Sequence, residues 1–198
     1  GAPPAAAVAW AGGSLPGYDA ALGVARAGTM NDMVVVGTQF RGDLGQSYDW
    51  QAVRYSSALS ANWEAPYSGP GDGADAAAAV ACPNDSEVYA AGYETVPGQG
   101  RNWRLTRYYV PYPSIEPDTY YVSWTRTIDG PAGLDDEATC VAATATFVFV
   151  GGYQTAATGG KDWVFRCYRT DGTLVWTHTE DGGAGGDDSV LGISVNAA

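Results

Sequence analysis

Apolar residues in this chain come in short runs that fill both alternating positions, and glycine or another turn residue closes each run. The stretch FVFVGGY at 147–153 puts Val148 and Val150 on one side of an extended chain and Phe149 on the other. A sheet with one face in water would alternate apolar with polar, so these strands are expected to be covered on both faces. Matching runs stand at 33–37 and 88–92, and a second class of strand opens at Trp50, Trp103 and Trp163 in YDWQAVRY, RNWRLTRY and KDWVFRCY. Between 136 and 186 the pattern predicts four strands, at 138–143, 147–152, 163–168 and 174–179. Asp171-Gly172 supplies the hairpin between the last two, because an Asp-Gly pair tolerates the positive φ that tight turns demand. The alanine run 76–79 has helical propensity, yet it aligns with 22–24 and 140–142 in the other copies and is expected to be strand.

The seven tryptophans carry the repeat. Trp63, Trp124 and Trp176 open a further strand, and each is followed twelve residues later by an aspartate, Asp75, Asp136 or Asp188; Trp10 stands in a partial copy. The spacing of 52 to 61 residues between equivalent tryptophans marks repeat architecture, in which a unit that cannot bury both its faces stacks on its neighbours. The expected fold is all-β: a β-propeller of four-stranded antiparallel blades at 19–71, 75–132 and 136–186, with single strands of partial blades at 8–11 and 188–195. First strands rich in small residues suit the crowded centre of such a body, and the indoles are expected to fill the wedges between blades. The incomplete ends leave three arrangements open: a segment of a longer propeller, a depleted fourth blade built from both termini, or association between copies.

Composition narrows the function. The net charge of −12 opposes binding to nucleic acid or to an anionic membrane, since both partners attract positive charge. No stretch has the roughly 20 apolar residues of a membrane span. Three cysteines cannot all pair. Cys140 and Cys167 belong to the first and third strands of one repeat, about 9.6 Å apart, which exceeds disulfide reach. With Cys82 in a turn of the preceding repeat, free thiols are expected.

The residues resemble a known family. DAAAAVACPNDSEVYAAGY at 75–93 and DWVFRCYRTDGTLVWTHTEDGGAGGDD at 162–188 are similar to the bacterial SBBP-type β-propeller repeat, and the similarity runs through 17–198 in three copies. The resemblance implies an exported or cell-surface propeller, often one module of a larger protein, and it carries no catalytic residues to transfer. The second copy departs from the pattern, with 109–121 in place of the Asp-Gly turn.

Candidate chemistry is sparse. The sole histidine, His178, falls on a fourth strand and is expected at the surface. Acidic pairs recur between blades, Asp72 with Asp75, Asp135 with Asp136 and Asp187 with Asp188. Carboxylates in glycine-rich loops are weak calcium candidates, and they equally suit hydrogen bonds from turn amides. No other cofactor is expected. The insertion YYVPYPSIEPDTYY at 108–121 brings tyrosines and prolines together, a composition suited to recognition, and makes Tyr109, Tyr112, Tyr120 and Tyr121 candidate contacts. The loops at 39–48, 94–102 and 154–162 add the cations Arg41, Arg101 and Lys161.

These features point to a non-catalytic extracellular or cell-surface binding or scaffolding propeller with a protein or glycan partner. One alternative is a structural subunit of a surface assembly or filament, with copies associating; the other is a propeller-based hydrolase or quinoprotein-type enzyme.

Overall fold

A computed structural model describes residues 19–28, 31–40, 48–111, 119–183 and 185–196. Twelve strands and no helix occur among them. β1 (Ala20–Ala27), β2 (Asp32–Phe40), β3 (Tyr48–Tyr55) and β4 (Ala61–Glu64) form the first sheet. The second contains β5 (Ala76–Ala81), β6 (Glu87–Val96), β7 (Gly100–Tyr109) and β8 (Tyr121–Ile128). The third contains β9 (Glu137–Ala143), β10 (Phe147–Thr155), β11 (Lys161–Arg169) and β12 (Leu174–Glu180). Each is a four-stranded antiparallel meander in chain order. The alanine run is strand β5, so its place in the repeat outweighs its local propensity.

The sheets share one irregularity. The first strand of each carries a bulge, between Ala21 and Gly23, Ala77 and Ala79, or Ala138 and Cys140. Opposite it stands a second-strand glycine, Gly37, Gly92 or Gly152, where a Cβ would run into the carbonyl oxygen of Ala20, Ala76 or Glu137. A bulge raises local twist, and it recurs at the same place in all three sheets.

The sheets pack face against face. Val34, Val36, Trp50, Ala52 and Trp63 of the first meet Ala77, Val88, Ala90 and Tyr108 of the second in one apolar core. Tyr89, Ala91, Trp103 and Leu105 of the second meet Val141, Val148, Val150, Val164 and Tyr168 of the third in another. Along one side β5 lies beside β1, and β9 beside β5; their alanines permit that approach. Indole N–H groups tie each sheet to the next: Trp50 Nε1 donates to Tyr108 Oη at 3.0 Å, Trp103 Nε1 to Tyr153 O at 2.6 Å, and Trp124 Nε1 to Thr170 O at 3.0 Å.

Three expectations need correction. The indoles are not uniformly packed: Trp50, Trp63 and Trp103 are buried, Trp124 and Trp163 are half-buried, and Trp176 is 40% exposed, because no sheet among the described residues covers the far side of the third. Residues 188–195 do not form a strand; two main-chain bonds hold their start to the third sheet, Asp188 N to Lys161 O and Val190 N to Gly152 O. In the second and third sheets the connections between second and third strands are shorter than expected, because pairing continues to Val96–Gly100 and Thr155–Lys161, with positive φ at Gly98, Gly100, Gly159 and Gly160 making the turns. The expected strand at 8–11, Trp10, Arg41 and Tyr112 lie outside the described residues.

Candidate recognition surface

The end of each sheet where β6 turns into β7 and β10 into β11 gathers most of the exposed chemistry. Arg101, at the start of β7, stacks 4.3 Å over the ring of Tyr93 and reaches Glu137 Oε2 at 3.4 Å. Tyr153 donates its hydroxyl to the same carboxylate at 3.3 Å, and Lys161 lies 3.9 Å over the Tyr153 ring. Cation, ring and carboxylate thus alternate from the second sheet into the third. Each stacked cation satisfies the ring quadrupole and loses little hydration. Burial is the largest cause raising both tyrosines above their ordinary pKa, Tyr153 to about 12, so their hydroxyls keep their protons. A groove of about 480 Å³ opens here, lined by Arg101, Glu137, Tyr153, Lys161, Asp187 and Leu191 among others.

A buried counterpart lies between the first two sheets. Arg104 stacks 3.4 Å over Tyr67 and pairs with Glu94 Oε2 at 2.7 Å, while the Tyr67 hydroxyl donates to that carboxylate oxygen at 2.5 Å. Arg104 and Glu94 are both buried. Burying an ion pair costs much of what its attraction returns, and the Tyr67 ring and hydroxyl join this pair of the second sheet to the connection that follows β4.

The repeated aspartates occupy built positions. Asp75 accepts Gly69 N at 2.5 Å and Thr95 N at 2.7 Å, and Asp136 accepts Gly130 N at 2.5 Å and Thr155 N at 2.7 Å. Both are fully buried. Burial outweighs the amide bonds, lifting Asp75 to about 6 and Asp136 in the same direction. Asp188 is half-buried and, among the described residues, accepts one backbone amide, Gly182 N at 2.9 Å. Asp72, Asp135 and Asp187 are exposed, and Asp135 accepts the Arg101 amide at 3.0 Å. Among the described residues, no three His, Cys, Asp or Glu side chains converge as a metal site.

The tyrosine-rich insertion divides. Tyr108 is buried and Tyr120 packs with it against Trp63 in the core between the first two sheets. Tyr109 and Tyr121 face one another across β7 and β8 and are 42% and 56% exposed. Pairing at the base of the loop thus turns alternate tyrosines inward and outward.

The remaining reactive groups are shielded or solitary. The cysteines are free thiols, and burial pushes Cys82 up to about 12 and raises Cys140 and Cys167. His178 is exposed on β12, 3.2 Å from Glu180.

Sequence reasoning missed one device that the repeats encode. Arg54 bonds Asp32 at 3.1 Å, and Arg107 bonds Glu87, each pair joining the third strand to the base of the second. In the third sheet the same two positions hold Cys167 and Phe147. Both partners change together, a signal visible by aligning the copies. No protein-family model matches this chain, and no curated protein matches it.

Proposed function

We propose that the three sheets are successive blades of a β-propeller, of the repeat type that 75–93 and 162–188 resemble, and that the chain is a non-catalytic binding or scaffolding module for a protein or glycan partner outside the cell or at its surface. The observation that carries this reading is the fate of the repeated carboxylates. Asp75 and Asp136 each spend one oxygen on an amide of the preceding connection, Gly69 or Gly130, and the other on an amide of the next second strand, Thr95 or Thr155. A group placed for chemistry would be singular and reachable, whereas these are duplicated and closed to solvent. The groove at Arg101, Tyr153 and Lys161 offers aromatic faces, cations and carboxylates, which suits polar ligands bound without turnover.

Isothermal titration against a panel of neutral and acidic polysaccharides, with product analysis of the same mixtures, tests it. Saturable binding that weakens about tenfold in the Arg101→Ala, Lys161→Ala double variant, a loss of about 1.4 kcal/mol, and intact polymer afterwards are expected. Cleaved or oxidised polymer would overturn the non-catalytic reading. No cofactor is assigned; a calcium-dependent rise in melting temperature would amend that.

A second reading, a structural subunit of a surface assembly, is favoured by the apolar far side of the third sheet, where Trp176 is 40% exposed. Light scattering across a concentration series separates the two, since an assembly subunit gains mass with concentration.

A further inference from the structure

The far side of the third sheet presents the residue types of the repeat's own interface, and among the described residues no further sheet packs on it. Phe149, Trp163, Phe165 and Trp176 occupy the places of Tyr89, Trp103, Leu105 and Trp124, which pack on the third sheet, and of Val34, Trp50, Ala52 and Trp63, which pack on the second. Here Phe149 lies 6.3 Å from Phe165 and from Trp176, and Phe165 lies 5.3 Å from Trp176, with His178, Val190 and Ile193 beside them. A face that ended in water would gain charge. This one loses it, because Phe147 and Cys167 replace the ion pairs Asp32–Arg54 and Glu87–Arg107.

Beside that face, residues 187–195 lie where the first strand of a next sheet would begin. Asp188 N donates to Lys161 O at 2.6 Å, as Asp136 N does to Arg101 O at 2.6 Å and Asp75 N to Tyr48 O at 2.7 Å. Asp75 and Asp136 lead directly into β5 and β9, which pair with β6 and β10. From Leu191 to Asn196 no main-chain hydrogen bond forms among the described residues, and Leu191 is 82% exposed. Unpaired main-chain groups beside a sheet can template another strand. Between this segment and the sheet lies an apolar groove of about 470 Å³, walled by Trp163, Phe165, Trp176, Val190 and Ile193 among others.

We propose that 187–195 and the aromatic far face of the third sheet form one docking seat for an antiparallel β-hairpin, which pairs with the segment's free edge and lays small and branched apolar side chains on the rings. The internal interface defines that chemistry: the hairpin of β6 and β7 presents Val88, Ala90 and Tyr108 to Trp50, Ala52 and Trp63. The segment already fills the first-strand place, so docking by the first sheet of another copy in the same geometry would require its displacement. A hairpin requires none. The seat adjoins the Arg101 and Lys161 groove, which Asp187 and Leu191 of the segment also line.

The test uses the isotopically labelled chain and an unlabelled synthetic peptide with the sequence of residues 87–109. Amide exchange at 191–195 should slow about tenfold or more on saturation, with shifts of the Trp163 and Trp176 indole signals. The Ile193→Pro variant, which removes a donor from the segment, should lose the protection, and Ile193→Ala should keep it. A peptide carrying Val88→Asp and Ala90→Asp should not bind. Absence of protection, or protection that persists in Ile193→Pro, would overturn the proposal. Concentration-dependent dimerisation that shields Trp176 without peptide would overturn it too, by giving the face to a second copy.

Discussion

Trp103 and Trp163 hold the same position in consecutive sheets, and their surroundings differ. Trp103 is fully buried and donates its indole proton to Tyr153 O of the next sheet, while Trp163 is half-buried with His178 edge-on at 5.6 Å. The aspartates show the same contrast. Asp136 is sealed under two amides, and Asp188 is half-buried under one. Residue type follows the repeat; burial follows whether a neighbouring sheet is present. The value of a side chain in this protein is therefore set one sheet away.

The sharpest way to break this comparison is to remove the two indoles separately. Trp103→Ala should cost about 3–5 kcal/mol, because it empties a closed site between two sheets. Trp163→Ala should cost about 1–2 kcal/mol, since much less area leaves the core. Urea unfolding of both variants measures the difference, and equal losses would show that the far face is as well packed as the inner one.

The aspartate pair comes next. Asp136→Ala strands the amides of Gly130 and Thr155 and should cost about 2–3 kcal/mol. Asp188→Ala should stay within about 0.5 kcal/mol, as at an ordinary surface position. The same unfolding midpoints decide it.

A third effect is tied to pH. Asp75 holds its proton more tightly folded, with a pKa of about 6, than unfolded, where an aspartate titrates near about 3.9. Its contribution is therefore full below about pH 4 and is lost as pH rises through about 6. Unfolding free energies between these limits should decline less steeply in Asp75→Asn than in the parent chain. Identical slopes would place the charge of Asp75 in water rather than under the turn.

The smallest effect concerns one hydrogen bond. Tyr108→Phe deletes the acceptor of the Trp50 indole while keeping the ring against Trp63, and should cost about 1 kcal/mol. A loss comparable to that of Trp103→Ala would mean that the hydroxyl, not the ring, joins the first two sheets.

Strand positions and their grouping into fours were legible because they rest on local signals. Paired apolar runs around Val148 and Val150, the Asp171-Gly172 turn with Gly172 at φ +85°, and recurring indoles all act within one repeat. The candidate surface was only half legible. Arg101 and Lys161 were marked by charge, but their stacking on Tyr93 and Tyr153 depends on second strands running three or four residues beyond the expected ends. The inward turn of Tyr108 and Tyr120 depends on the core between the first two sheets, which no stretch of 108–121 encodes alone.

By itself the sequence determined three all-β repeats, their turns and the residue types offered to each interface, because propensity and alternation are properties of neighbouring residues. Only the tertiary structure decided which indoles are buried, which carboxylates are sealed and where an apolar face stands open. Those outcomes are set by desolvation, and desolvation depends on what another sheet covers.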